Sequence, residues 1–576
     1  MGGFVGCVLP DPPRASSTVD RMLRAEALAG RASRKAASLA IFGAGDIDLA
    51  TSAAGAIVLA GYATSAGRRV GAAEVLRKWE RAGPALLDTL AGEFSLATDL
   101  GGETLIARDR HGARPLYVAE TDRGQAIFST AIGPLLAAGI PAEPDRDAVV
   151  RSLVLGYVPA PKTALARVRQ VMPGEYWIFE RRAGRPARRH RYFELVERIA
   201  RRRKLGAAAL LLDETISGAV RRALPDSGRI GAFLSGGVDS SLVLARLVEE
   251  GRRPDAFTLH FGDDLPGELA YARAVAAHLG VRHHVLELRD RQFCDTLEPA
   301  LAHLEDLLSE PIAVPNFLLA REAARTCDVL FTGEGGDPPF GGPKNIGLVL
   351  AHTYRAHPLA PSLTSAYQSA HHHLAGDLDI ALTEDWRAGF DEEEFERMLR
   401  AIVAPTRRVR GTSFVGRLMR ANIALKGGSN ILVKVAKMVS AHDVALRSPL
   451  FDAEVVRVAL TIPPWQKLDG TEEKLVLRRA ARRSLPRIVV DRTKRGMAVP
   501  LSAWFKGALG ALARDVLTRR VVRDRGIFRW EYVERLLRLE RLPGDLVRSR
   551  TPDKLWLALV TELQQRALER MVRGAT

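Results

Sequence analysis

Two short segments hold the residues best suited to chemistry. In RIGAFLSGGVDSS, the residues Ser235, Gly236, Gly237, Asp239, Ser240 and Ser241 follow an apolar run and precede a helical pattern. Glycines there let backbone N–H groups approach phosphate oxygens, hydroxyls add donors, and the following helix turns its positive N-terminus toward the anion. The set predicts a cradle for the pyrophosphate of ATP; the competing reading is a plain Gly-Ser turn. Further on, FTGEGGDPPFGG (331–342) follows a second apolar run, DVLFT. If both runs are parallel strands, their carboxyl ends open on one crevice. Gly333 then joins the nucleotide site, and Asp239 and Asp337 are placed to hold Mg2+ on the phosphates. Glu334 faces the same space, where it could take a proton from an incoming amine, or serve only as a turn carboxylate.

Such a crevice needs an alternating α/β scaffold, and the sequence offers one from about residue 207. A helical pattern covers 207–224, a strand 229–234, a helix 240–250, and strands follow near 256–261, 284–288 and 328–332. This alternation predicts a parallel sheet. Long amphipathic segments such as 472–483 and 552–570 make the last third helical. Residues 1 to about 195 differ: short apolar runs at 56–60, 94–97, 104–107 and 126–129, broken by Gly and Asp, predict a β-rich domain. The His371–His373 triplet reads as exposed helix or loop, because three adjacent residues cannot share a helix face.

Composition narrows the class. A chain of 576 residues exceeds what one core usually supports, and 47% apolar with 26% charged residues is ordinary for a globular protein. No apolar stretch is long enough to span a membrane, and the N-terminus lacks the basic and apolar regions of a secretory signal, so a cytoplasmic location is expected. Cys7, Cys294 and Cys327 are scattered and read as buried free thiols. The net charge of +17 is spread over the chain, its densest run at 181–204, without the aromatic interleaving of a nucleic-acid platform; no nucleic-acid partner is expected. Neither a Walker phosphate loop nor a dinucleotide fingerprint after a strand is present, which removes kinase and dehydrogenase readings.

SGGVDSS resembles the signature of the ATP pyrophosphatase superfamily. Together with GEGGD (333–337), YARAVAAHLGVRHH (271–284) and RSPLFD (447–452), it resembles the asparagine synthetase family over about 205–530. LIARDRHGARPLY (105–117), GYVPAPKT (156–163) and MPGEYW (172–177) are similar to that family's glutaminase domain. The resemblance implies an α/β protein: a glutaminase-like αββα sandwich over 1–195, and over 205–576 a parallel-sheet synthetase of ATP-pyrophosphatase type with a helical C-terminal extension. It implies ATP and Mg2+, an acyl-adenylate intermediate, and Lys494 in DRTKRGMAVP as the lysine that neutralises phosphate charge.

The departures are informative. The family's glutaminase begins Met-Cys-Gly, its cysteine the nucleophile, whereas this chain begins Met1, Gly2, Gly3. The family's glutamine-gripping Asn-Gly-Glu segment is unrecognisable in LAGYATSA (59–66). Pro338, Pro339 and Val314 stand where family members commonly carry acidic residues, against an aspartate substrate. A degenerate glutaminase domain resembles β-lactam synthetases and lasso-peptide macrolactam synthetases, which join an internal amine to an adenylated carboxylate. Glutamate at 334, where β-lactam synthetases carry tyrosine, favours the lasso type or a plain amidotransferase; the lasso reading implies a precursor peptide as substrate and a leader-binding protein and leader peptidase as candidate partners. The alternatives are a small-molecule amidotransferase, ammonia-dependent or β-lactam-synthetase-like, and an inactive scaffold, against which the intact Ser235, Asp239, Asp337 and Lys494 weigh.

Overall fold

The computed structural model describes residues 3–9, 12–25, 33–36, 38–42, 46–120, 125–180, 186–262, 268–342, 373–403, 414–469, 472–492, 498–540, 542 and 551–573. Its first part is built on alternation. In the strand Gly55–Ser65, Ile57 and Leu59 face one apolar cluster while Ala56, Val58 and Ala60 face another, so the strand is covered on both sides. Among the described residues this part has thirteen strands: β1 (Gly3–Val8), β2 (Ser33–Ala36), β3 (Leu39–Phe42), β4 (Ile47–Ser52), β5 (Gly55–Ser65), β6 (Arg68–Val70), β7 (Leu90–Leu100), β8 (Glu103–Arg108), β9 (Tyr117–Glu120), β10 (Ala126–Ser129), β11 (Arg169–Gln170), β12 (Glu175–Glu180) and β13 (Arg188–Arg191).

They form two antiparallel sheets, ordered β11-β9-β10-β1-β3-β2 and β13-β12-β8-β7-β5-β4, with β6 paired to β5. Phe4, Phe128, Val58, Ile106 and Trp177 fill the space between the sheets. Helix α2 (Ala72–Ala82) covers the second sheet through Val75, Leu76 and Trp79. Helices α1 (Pro12–Leu23) and α3 (Gly133–Ala137) lie against the first and complete the αββα sandwich, while α4 (Arg146–Leu155) joins the same large core.

The second part begins with α5 (Leu205–Ala223) and winds a five-stranded parallel sheet: β14 (Ile230–Phe233), α6 (Val238–Glu249), β15 (Asp255–His260), α7 (Leu269–Leu279), β16 (His283–Glu287), α8 (Asp290–Ala302), α9 (Ala313–Ala323), β17 (Val329–Phe331), α10 (Asp337–Phe340) and β18 (Ala445–Arg447). The order is β16-β15-β14-β17-β18. Ile230, Ala232, Ala256, Val329 and Phe331 face α5, α6 and α7, while Phe233, Phe257 and Leu330 face α8 and α9. Burial on both faces explains why these strands read as continuous apolar runs. The remainder is mainly helical, ending in the 23-residue helix Thr551–Arg573.

Several expectations need correction. The segment 472–483 is not one helix: Glu472 and Glu473 pair with Leu468 and Asp469, Lys474 takes φ +56°, and the helix runs only over Leu475–Ala481. Strand β18 lies in a region read as helical. Cys7 and Cys327 are buried free thiols, but Cys294 is half-buried. His371 and His372 lie outside the described residues, and His373 is half-buried against Gly156 rather than exposed. Val314 is fully buried in the large core.

Candidate active site

The chain winds outward from β14 in one direction through β15 and β16, then returns to place β17 on the other side. The crevice between β14 and β17 is therefore the switch point of the sheet, where ligands of open α/β folds bind. Their register pairs Ala232 with Phe331, so the two predicted loops leave the sheet side by side.

In the first loop, Ser240 Oγ receives the Ser235 N–H at 3.1 Å and lies 3.0 Å from Ser235 Oγ, while Gly237 N–H donates to Ser235 Oγ at 3.3 Å. The hydroxyls thus hold the turn that starts α6. Gly236 has φ +74° and backs onto α7, where a Cβ would stand 2.6 Å from Ala272 N. Asp239 lies in the first turn of α6, where the helix dipole favours a carboxylate. Ser241 is fully buried.

The second loop presses against the first. A Cβ on Gly333 would stand 2.6 Å from Ser240 Cα, and one on Gly336 2.6 Å from Asp239 Oδ1. Glu334 N–H donates to Thr332 Oγ1 at 3.1 Å, and the Glu334 side chain is partly exposed. Asp337 opens α10, whose first turn tolerates Pro338 and Pro339 because those N–H groups have no helical partner.

Sequence reasoning missed the cation that joins the loops. Lys474 Nζ pairs with Asp239 Oδ2 at 2.5 Å and also with Asp337 Oδ1. Its side chain is 1% exposed, and the left-handed backbone at 474 aims it into the crevice from behind Leu475–Ala481. Two carboxylates sharing one buried cation fit a divalent ion bound chiefly by phosphate and water oxygens. Among the described residues no three His, Cys, Asp or Glu side chains converge as a metal cage. Lys494 lies outside the described residues.

A second charged cluster adjoins Glu334. Glu310 pairs with Lys434 at 2.6 Å and Lys426 at 3.2 Å and accepts from Asn430 Nδ2 at 3.0 Å. Burial alone would lower the Lys434 ammonium, but the charges of Glu310 and Glu334 hold it above the usual lysine value. Glu334 therefore lies within the field of the Lys434 ammonium.

A model of the asparagine synthase family matches residues 211–566, more than half of the chain and the whole of this crevice. The chain belongs to the asparagine synthase family. A glutamine amidotransferase domain model matches residues 67–193 of its sandwich. Among relatives, a putative glutamine-hydrolyzing asparagine synthetase of Mycobacterium tuberculosis is 27% identical over 466 residues, covering 75% of this chain and 70% of its own. Glutamine-hydrolyzing asparagine synthetase 1 of Bacillus subtilis is 26% identical over 441 residues, covering 71% and 68%. Asparagine synthetase B of Escherichia coli is 27% identical over 289 residues, covering 46% of each chain. This family member is an ATP-dependent ligase of the asparagine synthetase type, forming carbon–nitrogen bonds.

Proposed function

We propose that this asparagine-synthase-family enzyme closes a macrolactam, joining the N-terminal amine of a precursor peptide to an Asp or Glu side chain of the same peptide. The carrying observation is Gly2 where the family has its nucleophilic cysteine, taken together with Asp239 and Asp337 joined by Lys474 in the synthetase crevice. Glycine offers no nucleophile to glutamine, so the nitrogen must arrive on the substrate or from free ammonia.

In this reading the carboxylate attacks the α-phosphorus of ATP, giving an acyl-adenylate and releasing pyrophosphate. Ser235, Gly236, Gly237, Ser240, Ser241 and Gly333 cradle the phosphates. Asp239 and Asp337 would hold Mg2+, which when bound neutralises charge on the departing pyrophosphate. Lys474, displaced from its two carboxylates, supplies positive charge to the phosphates, with Lys494 a second candidate. The amine then attacks the acyl carbon, AMP leaves, and Glu334 accepts the amine proton. A prefolded peptide brings amine and acyl carbon together, an effect worth up to roughly 7–11 kcal/mol.

The test is ATP–pyrophosphate exchange followed by mass spectrometry, using peptides with a free N-terminus and an internal Asp or Glu, and L-aspartate with ammonium. Exchange with a peptide and a product lighter by one water are expected, with no glutamate released from glutamine. Exchange with L-aspartate alone, and asparagine as product, would replace this reading by the small-molecule one, which the names of the relatives favour. Glu334→Gln should spare exchange while slowing amide formation by about 10²- to 10⁴-fold. Equal losses in both would remove Glu334 as the base.

A further inference from the structure

The segment LAGYATSA, which has lost the residues that grip glutamine in the family, is engaged in a different task. Tyr62, its central aromatic, is 2% exposed and belongs to the apolar cluster of the synthetase sheet, which includes Val329, Phe331 and Ala445. Its ring lies 4.7 Å from the Arg447 guanidinium, at the end of β18. Arg447 is fully buried, ion-pairs with Asp46 of the sandwich, and donates from Nε to Ala223 O at 3.0 Å. The next residue is also held from the sandwich: Ser448 N–H donates to Glu93 Oε1 at 2.7 Å. Arg114 reaches across to Leu446 O at 3.2 Å. Three consecutive residues of β18 and its exit are thus fastened by the domain that has lost its own chemistry.

What they hold is the loop of Glu334, on both sides. Before it, Thr332 N–H donates to Arg447 O at 3.0 Å, and Thr332 Oγ1 in turn accepts from Glu334 N–H at 3.1 Å. After it, Gly335 packs on Phe451, three residues beyond Ser448, so closely that a Cβ would stand 2.7 Å from the ring. Phe451 also abuts Gly427 and lies 5.6 Å from His111 of the sandwich.

We propose that the sandwich has become a positioning element for amide formation: Asp46, Tyr62 and Glu93 fix Arg447 and Ser448, and these set the Thr332–Gly336 turn that presents Glu334. The proposal rests on Glu334 serving the amide-forming step. Asp46, Tyr62, Glu93, Arg447 and Ser448 are positioning residues; none lines the phosphate cradle. Burial raises Asp46, but Arg447, Arg114 and Arg69 outweigh it and bring its carboxyl down to about 2, so the Asp46–Arg447 pair is ionised at any working pH.

The experiment uses the full chain with Asp46→Asn, Glu93→Ala and Glu93→Gln. Hydrogen–deuterium exchange of 329–342 is compared with that of 230–247, and MgATP binding is measured by calorimetry. Single-turnover amide formation is followed on whichever peptide supports exchange in the parent. Asp46→Asn and Glu93→Ala are expected to raise deuterium uptake in 329–342 and slow amide formation about tenfold or more, while MgATP affinity stays within about twofold. Glu93→Gln keeps an acceptor for Ser448 N–H and should restore both protection and rate. Unchanged protection in Asp46→Asn and Glu93→Ala, or a Glu93→Gln no better than Glu93→Ala, overturns the proposal. If Glu93→Ala does not fold, the contrast between Asp46→Asn and Glu93→Gln decides. Should no carboxylate support exchange in the parent, the amide-forming reading fails, while deuterium uptake still decides whether the sandwich sets the turn.

Discussion

At the scale of single residues, the decisive side chain is one that spacing did not reveal. Lys474 sits in EEKLVLRR, a string that reads as helix, and its importance comes from a left-handed backbone and from two aspartates far away in sequence. No local pattern encodes that convergence. Lys494, by contrast, lies in a segment with a family counterpart. Removing Lys474 leaves two carboxylates facing one another, Asp239 largely buried and Asp337 half exposed. Lys474→Met is therefore expected to lower stability by about 1–3 kcal/mol in chelator, less than a fully buried pair would lose, and Mg2+ should restore more stability to it than to the parent. Thermal unfolding with and without Mg2+ checks this; equal Mg2+ effects would separate Lys474 from the metal site. In exchange assays Lys474→Met should lose more than Lys494→Ala.

At the scale of elements, the parallel sheet was legible because strands buried on both faces produce apolar runs at regular spacing between helical stretches. IGAF, AFTL and VLF carry that signal. Strand β18 does not: three residues, ALR, inside a helical region, identified only by pairing Leu330 with Leu446. The Ser235 and Gly333 loops were readable for a related reason, since glycine and hydroxyl residues between a strand and a helix leave few structural options. Their mutual contact was not readable, and it carries a prediction. Gly333→Ala would force a methyl group into the backbone of Ser240 and should part the loops. MgATP binding is expected to weaken about tenfold or more, at a stability cost of roughly 1–3 kcal/mol from overpacking. Calorimetric titration against the parent decides, and parental affinity would mean that the loops can separate without loss.

At the scale of the whole molecule, the interface contains His111, packed edge-on to Phe193 at 5.4 Å and to Phe451 at 5.6 Å, with both ring nitrogens buried and unbonded. Burial, with a contribution from Arg110, pushes its pKa down to about 3. An unfolded histidine takes its proton near pH 6.5, so between those values the unfolded chain binds more protons and folded stability falls as pH falls. His111→Phe should remove that slope: at pH 5 the parent loses roughly 2 kcal/mol relative to pH 7 that the variant keeps. Glu93, pushed by burial up to about 7, contributes with the opposite sign but equally in both proteins, so the difference isolates His111. Denaturant unfolding at pH 5 and 7 checks it, and parallel pH curves would show that His111 is protonated in the fold.

The large apolar cluster runs without interruption from Val5, Cys7 and Phe42 of the sandwich to Phe233, Phe257 and Trp556 of the synthetase. A body with one shared interior melts as one, so calorimetry should show a single transition and neither half should be recoverable alone. Whatever chemistry the first domain performs, the second half depends on it for folding, because the synthetase has no other way to close its core.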